Sequence, residues 1–263
     1  MFKFSIVAKP DLISKKCEEE VKSTLIANSW IYDENDPYYV IVIGGDGTIL
    51  RAIHRYLDKI ESIRLLGIHT GTLGFFTEYN CEDVNEALET LINKRYILEY
   101  RRMLEADVLT KDGKHMFYAI NEMRLENIMR TQVIEVAIDG EHLETIRANG
   151  VCVSTPSGST AYNKSLGGAV ICPGIEVMQL CEVAGIHHNR YHSLGSPLIA
   201  SDQQTFTFTS SDFRDISLVF DHVVANVDDV IQVDTRLSTR KVPFLRKKGF
   251  SFAQRLRNSF IND

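Results

Sequence analysis

One carboxylate, Asp46, stands among three glycines in Gly44-Gly45-Asp46-Gly47-Thr48, directly after the apolar run Tyr38-Tyr39-Val40-Ile41-Val42-Ile43. Glycine needs no room for a Cβ and accepts positive φ, so Gly44, Gly45 and Gly47 can turn backbone amides toward an anion while Asp46 projects among them. A carboxylate repels phosphates. In such a place it holds a metal ion, takes a proton from a hydroxyl, or merely caps the helix that the spacing predicts from Ile49 to Leu57. The segment matches neither the P-loop pattern nor the three-glycine dinucleotide fingerprint.

A second constellation lies in Thr155-Pro156-Ser157-Gly158-Ser159-Thr160-Ala161-Tyr162-Asn163-Lys164-Ser165, a hydroxyl-dense loop after the strand pattern that begins near Thr145. Its hydroxyls and glycine amides can read phosphates, ribose and ring nitrogens, and Tyr162 can stack on a flat base. A turn rich in residues that bond their own backbone is an equal reading of the same residues. A serine nucleophile is disfavoured because G-x-S-x-G is absent. His187, His188 and His192 would offer an i, i+4 pair on a helix, but no third ligand stands nearby, so surface or interface histidines are the better reading.

The elements that must position these residues follow from periodicity. Lys3 to Ala8, a helix from about Leu12 to Asn28, the Tyr38 to Ile43 strand, a helix, and Arg64 to Ile68 alternate in the way that implies a parallel sheet. The buried character of Tyr38 to Ile43 agrees, and ligands of such sheets sit at the carboxyl ends of strands. A second glycine turn, His69 to Phe76, precedes a helix from about Cys81 to Asn93, so two adjacent strand ends would line one crevice. From about Tyr96 to Asp234 short β patterns take over, among them Ala106 to Thr110, Met116 to Asn121, Val133 to Ile138 and Phe206 to Phe208. Hairpin turns are expected at Lys111 to Lys114 and at Asp139-Gly140, and a helix near Glu176 to Ala184. The expectation is an α/β N-terminal domain with a parallel sheet over residues 1–99, plus a β-rich C-terminal domain over 100–239. The tail 240–263 packs back on the first. From Arg240 to Arg257 it holds seven basic residues and no acidic one, mixed with Phe244, Phe250, Phe252 and Leu256. It is read as a helix whose apolar side packs inward while its charges face water.

Composition sets the remaining bounds. A hydrophobic fraction of 44% over 263 residues is ample for a core, and a formal net charge of −6 gives no footprint for nucleic acid. The opening residues are too soon broken by Lys9-Pro10 for a signal peptide, and no run approaches membrane-spanning length, which predicts a cytoplasmic protein without membrane contact. Five scattered cysteines without a C-x-x-C pair predict reduced, mostly buried thiols.

The pentapeptide at 44–48 resembles the signature shared by NAD kinases and by the diacylglycerol and sphingosine lipid kinases. Thr155 to Tyr162 resembles the much more specific TPTGSTAY motif of NAD kinases, with Ser157 in place of the usual Thr. The resemblance to the NAD kinase family runs from about Tyr38 to His222 and more loosely into the Phe-rich tail. It implies an NAD kinase/diacylglycerol kinase-like fold, with the 100–239 domain binding NAD. The implied reaction is phosphorylation of NAD at the 2′-hydroxyl of its adenosine ribose, giving NADP, with ATP (or polyphosphate) as donor and Mg²⁺ or another divalent cation. Asp46 would activate the hydroxyl, with Gly47 beside it and Gly44, Gly45 and Thr48 in the phosphate loop. Asn121-Glu122, at the end of the Met116 to Ile120 strand, would hold the ribose. Thr160, Ala161 and Tyr162 would meet the adenine or nicotinamide ring, within a binding loop that includes Ser157, Asn163, Lys164 and Ser165, and Phe75 would lie close to the adenosine pocket. Arg147, Ala184, Ile186, Tyr191 and His222 are weaker matches, some of which would reach a neighbouring subunit's ligand in a homotetramer built as a dimer of dimers. Asn149 stands where many relatives carry Asp, which keeps a hydrogen bond to the carboxamide and loses attraction for the cationic ring. No protein side chain is assigned to a metal. The rivals are a lipid kinase with an apolar acceptor channel and a non-catalytic NAD-binding sensor. Asp46 argues against the sensor, since binding phosphates gains nothing from a buried negative charge.

Overall fold

The computed structural model describes residues 1–211, 213, 215–249 and 251–261. The first hundred residues form β1 (Lys3–Ala8), α1 (Leu12–Ala27), β2 (Ile31–Tyr32), β3 (Tyr39–Ile43), α2 (Asp46–Arg55), β4 (Arg64–His69), β5 (Tyr79–Asn80) and α3 (Val84–Ile92). Then follow β6 (Ile97–Thr110), β7 (Gly113–Ala119), β8 (Glu122–Glu126), β9 (Gln132–Ile138), β10 (Glu141–Ala148), β11 (Gly150–Ser154) and α4 (Tyr162–Ser165). The chain closes with β12 (Val177–Val183), β13 (Leu198–Ser201), β14 (Phe206–Thr209), β15 (Ser217–Phe220), β16 (Val223–Val224), β17 (Val230–Arg246) and α5 (Phe252–Phe260). Contacts divide it into two units, Met1–Arg101 with Arg240–Asp263, and Arg102–Thr239.

In the first unit, β1, β3 and β4 run parallel, with Ile41 of β3 opposite Ile6 on one side and Leu66 on the other. All five residues of β3 are buried, as an unbroken apolar strand in the middle of a parallel sheet must be. Helix α1 is started by Asp11, whose side chain accepts the Ser14 N–H at 2.8 Å, and it buries the stripe Ser14, Cys17, Val21 and Leu25. Cys17, Val21 and Leu25 of that stripe join Phe4, Ile43, Leu88 and Leu245 in one core.

The second unit is β-rich. One of its sheets has the order β13-β12-β11-β8-β15-β16, and β10, β9, β14 and β17 pair in that order in another, with β6 hairpinned to β7. The Asp139-Gly140 turn has φ of 52° and 83°, the left-handed pair of a two-residue hairpin that only residues such as Asp and Gly enter cheaply. Phe206, Phe208, Met123, Leu125 and Val153 anchor the core of this unit.

Two expectations are corrected. Glu176 to Ala184 is not a helix. Its central residues form β12, paired to β11 through Cys152↔Cys181 and to β13 through Met178↔Ala200. Met, Gln, Leu and Glu are good helix formers, but neighbours on both edges supply a hydrogen-bonding frame that local propensity does not outweigh. The basic tail also does not turn its charges uniformly to water. Arg246 ends β17 rather than lying on a helix, and its buried guanidinium meets Glu78 at 2.6 Å and Glu99 at 2.5 Å. Arg255 is likewise buried, against Glu78 at 3.0 Å. Phe250 lies outside the described residues. All five cysteines are free, with Cys17, Cys152 and Cys181 buried. Among the described residues no helix is long and apolar enough to cross a membrane.

Arg246 and Glu78 are each only 3% exposed, so Arg246→Met removes one of the two guanidiniums that Glu78 meets, and one of the two that Glu99 meets, rather than trimming a surface charge. We expect it to cost about 1.5–3 kcal/mol, read as a lowered urea midpoint at unchanged slope.

Candidate active site

In the first unit the glycine turn is built around Asp46. Gly44 adopts φ 147°, and its N–H donates to Ile68 O at 2.8 Å, tying the end of β3 to the end of β4. A Cβ there would collide with Thr48 Oγ1. Gly45 is the N-cap of α2 and Asp46 its first residue, so the helix begins three residues earlier than the spacing implies. The Asp46 side chain does not cap it. Instead Oδ2 accepts the Phe75 N–H at 2.8 Å and Oδ1 the Phe76 N–H at 3.0 Å, both from the second glycine turn. Gly74 completes the seat, since any Cβ on it would overlap the Asp46 carboxylate. A Cβ on Gly45 or Gly47 would meet nothing within 4 Å. The carboxylate is thus held from the β4 side, while the glycines flanking it leave backbone accessible. Phe75 stacks on Phe260 with ring centroids 5.5 Å apart and meets Phe252 edge-on at 6.3 Å.

In the second unit the bend between β7 and β8 carries Asn121 and Glu122. Strand β7 stops at Ala119 and Glu122 opens β8, so the pair lies at the start of the following strand rather than at the end of Met116 to Ile120. Asp221, buried with φ 56°, accepts the N–H of Ile120 at 3.0 Å and of Asn121 at 2.7 Å. Its own N–H donates to Glu122 O at 3.0 Å. The hydroxyl loop grips the same bend: the Thr155 N–H donates to Asn121 O at 2.9 Å and its Oγ1 to Ile120 O at 2.6 Å. Thr155 Oγ1 accepts the Gly158 N–H at 3.1 Å, and a Cβ on Gly158 would strike the Asn121 carbonyl. These contacts satisfy the backbone of the bend and leave its side chains open. Asn121 Oδ1 and Glu122 Oε2 are buried without a hydrogen-bond partner. Such atoms are costly unless donors from outside the chain, from water or a ligand, meet them. Burial, then the nearby Asp221 carboxylate, pushes the Glu122 carboxyl up to about 8, against the pull of Arg124. The Arg124 guanidinium lies 4.8 Å over the ring of Tyr162, whose face it helps to fix.

The other sequence-derived residues of this unit fall into three groups. Thr160 and Ala161 accompany Tyr162 on the half-buried part of the loop, while Lys164 and Ser165 are exposed. Part of the loop bonds itself, as a plain polar turn would: Thr160 Oγ1 donates to Ser157 O at 3.3 Å, and Ser159 Oγ to Pro156 O at 2.7 Å. Asn163 is fully buried, accepting from Gln179 Nε2 and Cys181 Sγ, each at 3.1 Å, and so supports the loop from within. The Asn149 amide donates to Asn127 O at 2.9 Å. Arg147, Ala184, Ile186 and Tyr191 gather at the ends of β10 and β12. There Arg147 lies 4.0 Å over the Tyr191 ring, the Ile186 N–H donates to Arg147 O at 2.7 Å, and Ala184 takes φ 50°. His222 is exposed beside Asp221. The segment of His187 to His192 is not helical, which removes the i, i+4 metal pair. His187 Nε2 instead lies 3.2 Å from Glu182. Among the described residues no group of three or more His, Cys, Asp or Glu is placed to hold a metal.

Sequence reasoning missed Asp221, which nothing in its neighbourhood advertises, and Arg124, whose alternation with Glu122 and Glu126 along β8 could have shown all three on one face.

The chain matches the ATP-NAD kinase N-terminal domain over residues 6–96 and the C-terminal domain of the same family over 120–243. It is 36% identical to NAD kinase 1 of Bacillus cereus over 264 residues, covering 99% of each chain, and 34% identical to NAD kinase 1 of Bacillus subtilis, covering 98% of each. Yeast NADH kinase, solved with NADH, shares the fold at a TM-score of 0.86 and 20% identity, over 100% of this chain and 89% of the other. An NAD kinase from Archaeoglobus fulgidus, solved with ATP, gives 0.74 at 23% identity, over 98% and 97%. The glycine turn that seats Asp46 falls within the first matched domain and the Asn121-Glu122 bend with its hydroxyl loop within the second, and on these matches the chain belongs to the NAD kinase family.

Proposed function

We propose that this chain is an NAD kinase, transferring the γ-phosphoryl group of ATP to the 2′-hydroxyl of the adenosine ribose of NAD to give NADP and ADP. The observation that carries the reading is the pair of open buried acceptors, Asn121 Oδ1 and Glu122 Oε2. Acceptors on two consecutive residues can take the donors of two vicinal hydroxyls, and a site that uses them so rejects ligands that lack those hydroxyls. The names of the relatives, and the ATP and NADH held by the two solved neighbours, point to the same substrates.

In this reading Arg102–Thr239 is the NAD-binding unit. Asn121 and Glu122 take the ribose, and Tyr162, with Thr160 and Ala161, takes a ring. Ser157, Lys164 and Ser165 border them, while Asn163 and Asn149 act by holding the backbone around the site. Arg147, Ala184 and Ile186 serve the nicotinamide end, within a cytoplasmic homotetramer. Asp46 acts on the hydroxyl, with Gly44, Gly45, Gly47 and Thr48 at the phosphates and Phe75 toward the adenosine.

The chemistry asked of Asp46 is modest. A ribose hydroxyl is far less acidic than a protonated carboxyl, so the proton leaves as the O2′–Pγ bond forms and the bond from Pγ to the β,γ-bridging oxygen breaks. Asp46 aims the hydroxyl and accepts that proton late, which its two amide donors permit by fixing the carboxylate before substrate arrives. A divalent cation, Mg²⁺ in the first instance, enters as part of the metal–triphosphate substrate. Mg²⁺ ordinarily keeps substrate phosphates and waters as ligands.

Purified protein with NAD, ATP and Mg²⁺ should form NADP, followed with an NADP-specific dehydrogenase. Asp46→Asn should lower turnover by roughly 10²- to 10⁴-fold while NAD affinity changes little. Normal turnover in that variant would remove Asp46 from the chemistry. Glu122 gives a second test. Its folded pKa lies above the ordinary glutamate value, so between about pH 4.5 and 8 the folded chain keeps a proton that the unfolded chain has released. Stability from this group is therefore present at the acid end and falls as pH rises through that window. Glu122→Gln should flatten the decline in urea-derived stability from pH 5 to 8.5, and a slope identical to wild type would show that Glu122 ionises normally.

A further inference from the structure

Helix α5 buries one residue, and that residue is Arg255, 5% exposed. An apolar side chain would fill the position without the desolvation cost of a guanidinium, so the charge there does more than pack. Arg255 Nη1 donates to the carbonyls of Gly74 and Thr77, the latter at 2.5 Å, and Nη2 reaches Glu78 Oε1 at 3.0 Å. Those two carbonyls bracket Phe75 and Phe76, whose amides hold the Asp46 carboxylate. Arg246 adds a bond from Nη2 to Phe75 O at 3.3 Å. Phe252 and Phe260, from the same helix, pack on the Phe75 ring.

We infer that Arg255 is a positioning residue for phosphoryl transfer: by clamping the turn from Gly74 to Thr77 it aims the two amides that orient Asp46, and it makes the C-terminal helix part of the catalytic apparatus. The inference rests on the proposed role of Asp46. Burial works against the charge of Arg255 and Arg246 adds to that, while Glu78 and, after it, Asp46 support it. The geometry calls for arginine. A rigid fork can bridge two carbonyls and a carboxylate at once, whereas an ammonium on a flexible stem presents a single point of charge.

Arg255→Lys separates positioning from packing. We expect kcat to fall about 10²-fold with KM for NAD and for ATP changed less than about threefold. In the Asp46→Asn background the same substitution should have less than about a threefold effect, because there is no carboxylate left to aim. Hydrogen exchange should show the Phe75 and Phe76 amides losing protection while those of β1 and β3 keep theirs. A normal kcat, a loss that appears in KM, or a loss fully multiplicative with Asp46→Asn would each overturn the inference. Arg255→Gln, which retains a two-donor amide, is measured in parallel. If neither variant folds, Arg255 serves the fold alone and the inference is wrong. Wild-type protein that makes no NADP would sink the proposed reaction, whereas active wild-type protein with unprotected Phe75 and Phe76 amides would sink the clamp.

Discussion

The two hydrogen bonds from the Phe75 and Phe76 amides to Asp46 govern the first unit, because they fix in one place a carboxylate that a glycine turn alone would leave mobile. Everything nearby serves that geometry. The parallel pairing of β3 with β4 brings the two glycine turns side by side, since both leave from the same end of adjacent strands. Gly74 must lack a side chain because the carboxylate occupies that volume.

The same logic extends outward through the arginines. Arg246 and Arg255 bind Glu78 and the carbonyls of the Gly74 to Thr77 turn, and Arg101 lies 2.9 Å from Glu99. Buried ions of both signs are poor material for stability, since hydrophobic residues of like volume would commonly do as well. Their value here is directional: each guanidinium fixes several acceptors at once and so holds the turn in place.

In the second unit the emphasis is reversed. Asp221 and Thr155 satisfy the backbone of the Asn121-Glu122 bend, and what remains unsatisfied is side chain. Leaving buried acceptors open costs stability, and the raised Glu122 pKa is the same cost seen as a proton. A rigid frame around open acceptors is the arrangement expected of a site that binds hydroxyls through direction as well as attraction.

Much of this was readable from the residues alone. The unbroken apolar run before Gly44 dictated a central strand, and the apolar stripe of α1 dictated its buried face, because burial periodicity is a local property of the chain. Asp46 and Tyr162 stood out because a glycine turn and a hydroxyl loop set their residue types out contiguously, whereas Asn121 and Glu122 were singled out only by the resemblance to NAD kinases. The tertiary structure alone decided what Asp46 bonds to, that Asp221 supports Asn121 from 100 residues away, that β12 is a strand and that Arg255 turns inward. Each of these depends on a partner distant in sequence. Asp46 is 29 residues from Phe75, and Arg255 is 178 from Thr77, so no local pattern could disclose the pairing until the sheet had brought them together.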